Sequence, residues 1–539
     1  MSLMECRLEH ELRPSEQEGE MTATARAREL YQLSFSGQLG HYLHGHDNEA
    51  KISSGLKLAA SRGRFDSVEI GNTSVSPFEY LGFLEKVVFP NTVNTFSNKF
   101  LGHMTAPLPA FITEVAGAIS QMNQNQVKVE TSNILTLIER QVLGAIHHKI
   151  FAYPEAFYDN YMQCPESSLG VVTGGGTLAN ITSLSYALNC AFRADGDFAG
   201  LTKEGLVAAL RHYGYEDVVI IGSKRMHYSV DKAAKLLGLG EKNVIRLDTD
   251  SNGRVDLAEM QMYLQECQQN NIHVLAVIGI AGATETGSVD PLEDIGRLAK
   301  AFGVHYHVDA AWGGAYAFSS QHRDLIQGIE LADTVTICAH KQLYIPMGTS
   351  LCIFRSPDFA SHSENNTAYQ CKKGSYDLGR YTIEGSRPAS VLMLHALLNI
   401  WGDEGIGHIF ETTLSTTRLF TEKIRQSESF FLVQEPALNI VVYRYMPVSL
   451  RHRVEAGDAL SSDELDFVNA INRQIQSQQF MNGNTFASST TLVDDDEETV
   501  VFRSVFCNPL AREKDIEQLL ADQEEIAKAL AISELLAMS

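Results

Sequence analysis

The segment VHYHVDAAWGG (304–314) ends an apolar run with a carboxylate, Asp309, and continues with small residues and a tryptophan. A run of this kind is typical of a strand buried in the middle of a parallel sheet. An ionised carboxylate at its end is costly unless it meets a cation or fixed hydrogen-bond donors. The small residues after Asp309 leave room for a flat ring. The alternative is that Asp309 caps the helix that follows.

The next apolar run, TVTICAH (334–340), leads directly into Lys341. A lysine at a buried strand end is a competent amine for forming a Schiff base. His340, beside it, could donate a hydrogen bond to the phosphate of a ligand. The alternative is a surface lysine whose charged end reaches solvent along its apolar stem.

Upstream, GVVTGGGTLAN (170–180) runs from a strand through three glycines and a threonine into an apolar helix. Glycines let backbone N–H groups approach a ligand, and a helix start carries partial positive charge, which suits one phosphate. The spacing differs from the dinucleotide-binding pattern G-x-G-x-x-G, and no lysine follows the last glycine as a P-loop requires. A glycine turn without a ligand is the alternative.

Two more strand ends carry residues that could contact a ligand. His227 follows the apolar run DVVIIGS (217–223), where a flat imidazole could stack on a cofactor ring, although a structural histidine is the alternative. Thr284 and Thr286 follow HVLAVIGIAGA (273–283), and their hydroxyls could reach a ring substituent. Phosphate turn, stacking histidine, threonine, aspartate and lysine occur in the order that one pyridoxal phosphate (PLP) bound at a sheet edge requires.

His305 and His307 share one face of the strand before Asp309, because side chains two residues apart point the same way. A metal-binding pair is one interpretation. On a strand this apolar we interpret them as core histidines, and we expect no metal site.

Short apolar runs alternate with helical stretches between residues 169 and 340, which predicts an α/β fold with a mostly parallel sheet and right-handed crossovers. The six runs are LGVVTG (169–174), DVVIIGS (217–223), NVIRLD (243–248), HVLAVIGIAGA (273–283), VHYHVDAA (304–311) and DTVTICAH (333–340). SLCIFRS (350–356) follows after a short turn, so we expect it to run antiparallel. Ligands bind at the carboxyl ends of the strands in such sheets.

Changes of pattern along the chain divide it into three parts. We expect an N-terminal helical and dimerisation segment (1–105), a large cofactor-binding domain (106–400) and a small α+β C-terminal domain (401–539). Apolar periodicity predicts helices within residues 107–124 and 130–151.

The C-terminal part mixes helical and strand patterns. It predicts a helix near 405–427, strands in FFLVQ, NIVVYRY and TVVFRSVF, and a terminal helix from about residue 511. The acidic run DDDEE (494–498) lies between two strand patterns, and we interpret it as a solvated hairpin turn.

Charge and composition exclude several kinds of partner. The formal net charge is −23, and a surface this acidic repels nucleic acid and anionic lipid. No apolar stretch approaches the roughly 18 residues of a spanning helix, and the charged N-terminus is unlike a secretory signal. The eight cysteines are scattered without a CxxC pair, which predicts thiols in a reducing cytoplasm.

Taken together, these motifs make the sequence resemble the group II PLP-dependent decarboxylases, which include glutamate, aromatic-amino-acid, 2,4-diaminobutyrate and aspartate 1-decarboxylases. The resemblance covers roughly residues 80–510. The matching segments are TGGGTLAN, MHYSVDKA, GATETGSVD, HVDAAWGG, AHKQLY and SYDLGRYTIEGSR. It implies a PLP-dependent transferase fold of type I, PLP as the cofactor, and a homodimer with its sites at subunit contacts.

The resemblance also implies roles for individual residues. Lys341 would carry the Schiff base with the cofactor, Asp309 would pair with the pyridine nitrogen, and His227 would stack on the ring. The remaining contacts would be to the phosphate, by Gly175, Gly176, Thr177 and His340, and to the ring, by Thr284 and Ala311.

On the substrate side, Arg387 matches the family arginine that binds the α-carboxylate. Tyr369, in the polar loop 361–377, is similar to the mobile-loop tyrosine that returns a proton to the substrate carbon. The lysine motif reads CAHK where the family often has NPHK. His103 stands where glutamate decarboxylases often place Gln, and we expect it to contact the substrate.

Overall, the sequence most resembles the bacterial aspartate 1-decarboxylases, so L-aspartate is the expected substrate and β-alanine the expected product. L-glutamate, cysteine sulfinate and 2,4-diaminobutyrate are the alternative substrates. Another PLP reaction on the same scaffold, transamination or C–S cleavage, is a second alternative. A regulator that retains the fold without catalysis is a third.

Overall fold

The computed structural model describes residues 23–32, 51–55, 83–363, 374–494 and 497–538. These residues divide into two compact units. The first unit contains the described residues of 1–35 and 108–412, and the second contains those of 36–107 and 413–539.

A seven-stranded sheet forms the centre of the first unit. Its strands are β1 (Gly170–Thr173), β2 (Asp217–Ser223), β3 (Val244–Leu247), β4 (Ile272–Ile280), β5 (His305–Asp309), β6 (Thr334–Cys338) and β7 (Ser350–Phe354). The spatial order is β1-β7-β6-β5-β4-β2-β3. Strands β3, β2, β4, β5 and β6 pair in parallel, whereas β7 is antiparallel to β6 and to β1. The α/β class, the six predicted strands and the antiparallel seventh are therefore confirmed.

The segments between the strands form helices that cover the sheet. In the first unit they are Ala23–Gln32, Ala110–Met122, Val129–Ser132, Ile134–Phe151, Glu155–Tyr161, Gly176–Ala191, Leu201–Tyr213, Ser229–Leu236, Leu257–Gln269, Leu292–Phe302 and Val391–Ile400. The helix Gly402–Gln426 contains the boundary between the two units. Apolar side chains of three of these helices pack on the sheet in one buried cluster, which includes Leu184, Ala209, Val230, Ile220 and Ile278. This packing explains why the strands are apolar on the face that these helices cover.

One helix differs from the sequence prediction. The apolar pattern predicted continuous helix within 130–151, but the chain breaks at Asn133, where φ is +43°. Asparagine tolerates positive φ better than most residues, so it can end one helix and start the next. Apolar periodicity does not detect this break, because the pattern resumes after a single residue.

The second unit is an α+β fold built on an antiparallel sheet. Its strands are β8 (Phe430–Leu432), β9 (Ile440–Tyr445), β10 (Ser488–Asp494) and β11 (Glu497–Val505), in the order β10-β11-β9-β8. Its helices after residue 426 are Val448–Glu455, Ser462–Asn482 and Glu513–Met538. Asp494 lies opposite Glu497 in the antiparallel β10–β11 pair, as the hairpin interpretation of DDDEE requires.

Two features of this unit were not predicted. The helix Ser462–Asn482 begins with a capping box between Ser461 and Glu464, a local signal that the sequence does carry. Phe100 forms a β-bridge with Phe486, so residues around 100 fold with the C-terminal part of the chain. The dimerisation role expected of residues 1–105 stays a prediction. None of the helices in the described part of the chain is long and apolar enough to cross a membrane.

The carboxyl ends of the central strands are held in line by a buried carboxylate. Asp290, only 5% exposed, accepts backbone hydrogen bonds from Val255 and Ile280, each at 2.9 Å. Ile280 in turn pairs with Asp309 across β4 and β5. Asp290 therefore fixes the end of β4 next to the end of β5.

We expect Asp290→Ala to lower the free energy of unfolding by roughly 1–3 kcal/mol for each backbone donor left unpaired. Asp294→Ala is the matched control, because Asp294 is exposed on the helix that follows. Urea unfolding midpoints of the two variants and the wild type test this. Equal midpoints for Asp290→Ala and Asp294→Ala would contradict the assigned role.

Candidate active site

A cavity of about 200 Å³ lies in the first unit, lined by residues that follow β2, β4, β5 and β6 and by the helix start after β1. The strand ends contribute six of the predicted residues, His227, Thr284, Asp309, Ala311, His340 and Lys341. The helix start contributes Gly176 and Thr177. Gly175 precedes them and is outside the lining. The structure thus brings into one cavity eight of the residues that the sequence predicted to contact a single ligand.

Asp309 is a buried carboxylate held by neutral donors. It is 8% exposed. Its Oδ2 accepts from the side-chain amide of Asn180 at 2.8 Å, and its Oδ1 accepts from the backbone N–H of Ala311 at 3.1 Å. These donors orient the carboxylate and carry no charge of their own, so it can still attract a cation in the cavity.

Asn180 belongs to a hydrogen-bond network that sequence reasoning missed. The amide of Asn180 also donates to Ser229 at 2.9 Å, and its oxygen lies 3.1 Å from His307 Nε2. Burial lowers the pKa of His307 to about 4, so the imidazole is neutral and donates to Asn180 from Nε2. Every polar group of the Asn180 amide is therefore committed, which orients the donor to Asp309. The available signal was a lone asparagine in an apolar helix after the glycine turn.

The other nitrogen of His307 lies within 3.0 Å of the hydroxyls of Ser183 and Thr334. His305 bonds the same threonine and stacks on Phe359. The interpretation of the two histidines as core residues is therefore confirmed. Within the described part of the chain, no group of three or more His, Cys, Asp or Glu residues is arranged to hold a metal ion.

His227 presents a neutral, oriented imidazole to the cavity. Burial lowers its pKa, and the nearby Lys341 acts in the same direction while Asp309 opposes it. Its Nδ1 lies 3.3 Å from the backbone N–H of Ser229 and 2.9 Å from the hydroxyl, so Nδ1 is the acceptor. Because Ser229 also accepts from Asn180, the same network positions His227 and Asp309.

The opposite side of the cavity combines glycine backbone with His340 and Lys341. Gly175 caps the helix Gly176–Ala191 without a side chain, which leaves the first helical N–H groups available to an anion. A Cβ added to Gly176 would lie 2.6 Å from Cys338 Sγ, so only glycine allows this approach to β6. His340 donates from Nδ1 to the carbonyl of Thr349 at 3.0 Å, and burial lowers its pKa.

Arg225 also lines the cavity and was not predicted. It is 7% exposed, and its Nη1 lies 3.9 Å from Glu285 Oε2. Its position two residues before His227 was the only signal in the sequence. Thr286, which the sequence offered beside Thr284, is buried and bonds Ser288 instead of lining the cavity.

Two of the three residues expected near the substrate have other polar partners in the structure, and the third falls outside the described residues. Arg387 is outside the lining, and its guanidinium forms a buried bidentate ion pair with Glu139, one contact of which measures 2.8 Å. His103 belongs to the second unit, where its Nδ1 lies 2.9 Å from the Thr105 hydroxyl. Tyr369 falls outside the described residues.

The donor set fits pyridoxal phosphate. A phosphate suits the glycine turn and the helix start, a protonated pyridine nitrogen suits Asp309, and an aldehyde suits the amine of Lys341. Gly176, where a Cβ would meet Cys338 Sγ at 2.6 Å, and the imidazole of His227 both line the cavity with these groups.

Comparisons with known proteins give the same result. Residues 82–446 match the model of the pyridoxal-dependent decarboxylase conserved domain. The chain is 40% identical over 463 residues to an aspartate 1-decarboxylase of Aliivibrio fischeri, covering 84% of each. It is 27% identical to an L-2,4-diaminobutyrate decarboxylase of Rhizobium meliloti, over 79% of this chain and 77% of the relative.

A crystal structure of mouse CSAD superposes with a TM-score of 0.78 at 23% identity, covering 90% of this chain and 95% of the other. This likeness supports the fold, which is PLP-dependent transferase type I. The family model and the relatives confirm decarboxylation over transamination, C–S cleavage or a regulator without catalysis. The chain belongs to the pyridoxal-dependent decarboxylases, which use pyridoxal phosphate to release the carboxyl group of an amino acid as CO₂.

Proposed function

We propose that this decarboxylase acts on L-aspartate and forms β-alanine and CO₂. The observation that carries the proposal is 40% identity, over 84% of both chains, to an aspartate 1-decarboxylase. Relatives named for 2,4-diaminobutyrate and cysteine sulfinic acid are each 27% identical. L-glutamate, cysteine sulfinate and 2,4-diaminobutyrate are therefore the competing substrates.

In this proposal, Lys341 is the residue whose amine would hold the cofactor. Gly175, Gly176, Thr177 and His340 would hold its phosphate. A phosphate next to His340 favours the protonated imidazole, which then donates from Nε2 because Nδ1 is already bonded to Thr349. Thr284 and Ala311 lie beside the ring.

Pyridoxal phosphate, when bound, supplies the electron sink that accepts the electron pair left by CO₂. Asp309 would hold a proton on the pyridine nitrogen, because a buried carboxylate stabilises an adjacent cation. Asn180 and the Ala311 amide hold the carboxylate in place for this contact. His227 would pack on the ring as a neutral, flat imidazole. Tyr369 is the residue that we expect to return a proton to the substrate carbon.

We infer a cytoplasmic homodimer. Six cysteines of the described chain are free thiols, which supports a reducing compartment. The dimer is expected from the resemblance to a family whose sites form at subunit contacts, with residues near 99–130 or the loop of Tyr369 reaching across.

Replacing the amine tests the covalent role. We expect Lys341→Ala to lower CO₂ release by at least about 100-fold, and borohydride reduction to leave the cofactor unattached to the variant protein. Lys300→Ala is the control, because Lys300 is exposed on the helix Leu292–Phe302. The measurements are trapped ¹⁴CO₂ and mass spectrometry of the reduced protein. Wild-type CO₂ release by Lys341→Ala would end the proposal.

A panel of four amino acids tests the substrate. With PLP added, we expect L-aspartate to be decarboxylated fastest, and to exceed L-glutamate by roughly 10-fold or more, since one extra methylene in a fitted pocket typically costs this much. Cysteine sulfinate and 2,4-diaminobutyrate complete the panel. Reaction of 2,4-diaminobutyrate alone would overturn the aspartate proposal and leave the decarboxylase family unchanged.

The Arg387–Glu139 pair separates a substrate role from a structural one. Both partners are buried, so removing one leaves an uncompensated charge, and we expect Arg387→Met to lower stability by roughly 3–5 kcal/mol. The double variant Arg387→Met with Glu139→Gln is expected to regain part of that loss. Urea unfolding measures stability, and KM for the substrate is measured in parallel. A raised KM at unchanged stability would instead assign Arg387 to the substrate α-carboxylate.

A further inference from the structure

The residues of the cavity divide into two sets on either side of Asp309. The sheet order β1-β7-β6-β5-β4-β2 places residues that follow β1 and β6, such as Gly176 and His340, on one side of β5. Residues that follow β4 and β2, namely Thr284 and Arg225, lie on the other side. The cavity therefore has an anion-binding end and a second end that contains a buried arginine.

The substitution pattern of the cofactor fixes which part faces each end. In pyridoxal phosphate the ring nitrogen lies opposite the aldehyde carbon, which is flanked by the phosphate arm on one side and the ring oxygen on the other. Resting on the proposed function, Asp309 takes the nitrogen, Lys341 the aldehyde, and Gly176 with His340 the phosphate. The ring oxygen then faces the end formed by Thr284 and Arg225.

Arg225 brings a permanent positive charge to that end. A guanidinium is ionised at every pH at which enzymes are studied. Arg225 is 7% exposed, and its charge is screened by little water. Glu285, whose Oε2 lies 3.9 Å from Arg225 Nη1, opposes this charge at a separation longer than a direct hydrogen bond.

We infer that Arg225 is the cation on the ring-oxygen side of the bound cofactor and that it stabilises negative charge on that oxygen. The proton shared between this oxygen and the linking nitrogen of Lys341 is then held less tightly, because a nearby cation disfavours the protonated form. Arg225 is in this sense a charge-setting residue rather than a proton donor. Thr284, which is neutral, contributes at most a hydrogen bond on the same side.

The other charged or titratable groups that line the same cavity are Asp309, Lys341, His227, His340 and Cys338. Asp309 lies at the far side of the ring and favours protonation, and Lys341 is the linkage itself. Burial lowers the pKa of His227, which is therefore neutral. His340, protonated beside the phosphate, follows β6 and so belongs with Gly176 to the end of the cavity opposite Arg225. Burial raises the pKa of the Cys338 thiol, which is therefore uncharged. Arg225 and its partner Glu285 remain as the pair whose removal changes the charge at this end.

The test is a pH titration of the visible absorbance of the lysine-bound cofactor in the holoenzyme. We expect Arg225→Gln to raise the pKa of the linkage by about 1 unit, because a like charge is lost. Glu285→Gln is expected to shift the pKa in the opposite direction, because it removes the charge that opposes Arg225. Arg225→Lys is expected to stay near the wild type, and Arg297→Gln, on the surface of the helix Leu292–Phe302, is the control.

Opposite shifts in the two variants support the inference, since a loss of packing alone would not invert with the sign of the charge removed. An unshifted or lowered pKa in Arg225→Gln, or a raised one in Glu285→Gln, overturns it. If Arg225→Gln fails to fold, Glu285→Gln decides by itself. A wild-type holoenzyme in which borohydride does not fix the cofactor to Lys341 would refute the proposed site, whereas a titrating wild type with unshifted variants refutes only the role of Arg225.

Discussion

The site depends on a carboxylate held at the end of a buried strand at the centre of the sheet. Asp309 ends β5, where solvation by water is lost and a carboxylate is costly without hydrogen-bond donors or a cation. Two neutral donors, the Asn180 amide and the Ala311 N–H, hold it in place. Because these donors are neutral, the carboxylate can still attract a cation, and a cationic ring nitrogen is the partner that we propose for it. The rest of the local structure serves to hold these donors.

The network around Asn180 connects the Asp309 carboxylate to other buried side chains. It links His307, in the core of the sheet, with Ser229 and with His227, which lines the cavity. Because Asn180 lies one turn into the helix that starts at the glycine turn, the same helix presents amides to an anion and a donor to Asp309. In the proposed site, a single helix would therefore position the phosphate relative to the ring nitrogen. Such an arrangement reduces the conformational freedom lost when a ligand binds.

Two buried arginines, Arg387 and Arg225, differ in whether they line the cavity. Arg387 matched a family position and was expected at the substrate, yet both of its terminal nitrogens contact Glu139 and it is not part of the cavity lining. Arg225 matched no expectation and lies within the lining. Neither location follows from local sequence, because Glu139 is far from Arg387 along the chain and Glu285 is far from Arg225. Ion pairs of this kind are properties of packing.

Apolar runs, glycine turns and strand-end polar residues are local signals with a direct physical cause, and the strand pattern, the antiparallel β7 and eight residues that meet in one cavity could be predicted from them. The break at Asn133 and the Phe100–Phe486 pairing could not, since one depends on a single backbone angle and the other on two segments far apart in the chain. Packing in three dimensions was needed to show that Asn180 and His307 orient Asp309, that Arg225 lines the cavity, and that Arg387 is paired with Glu139. Hydrogen bonds and ion pairs between distant residues require the distances that the fold alone establishes.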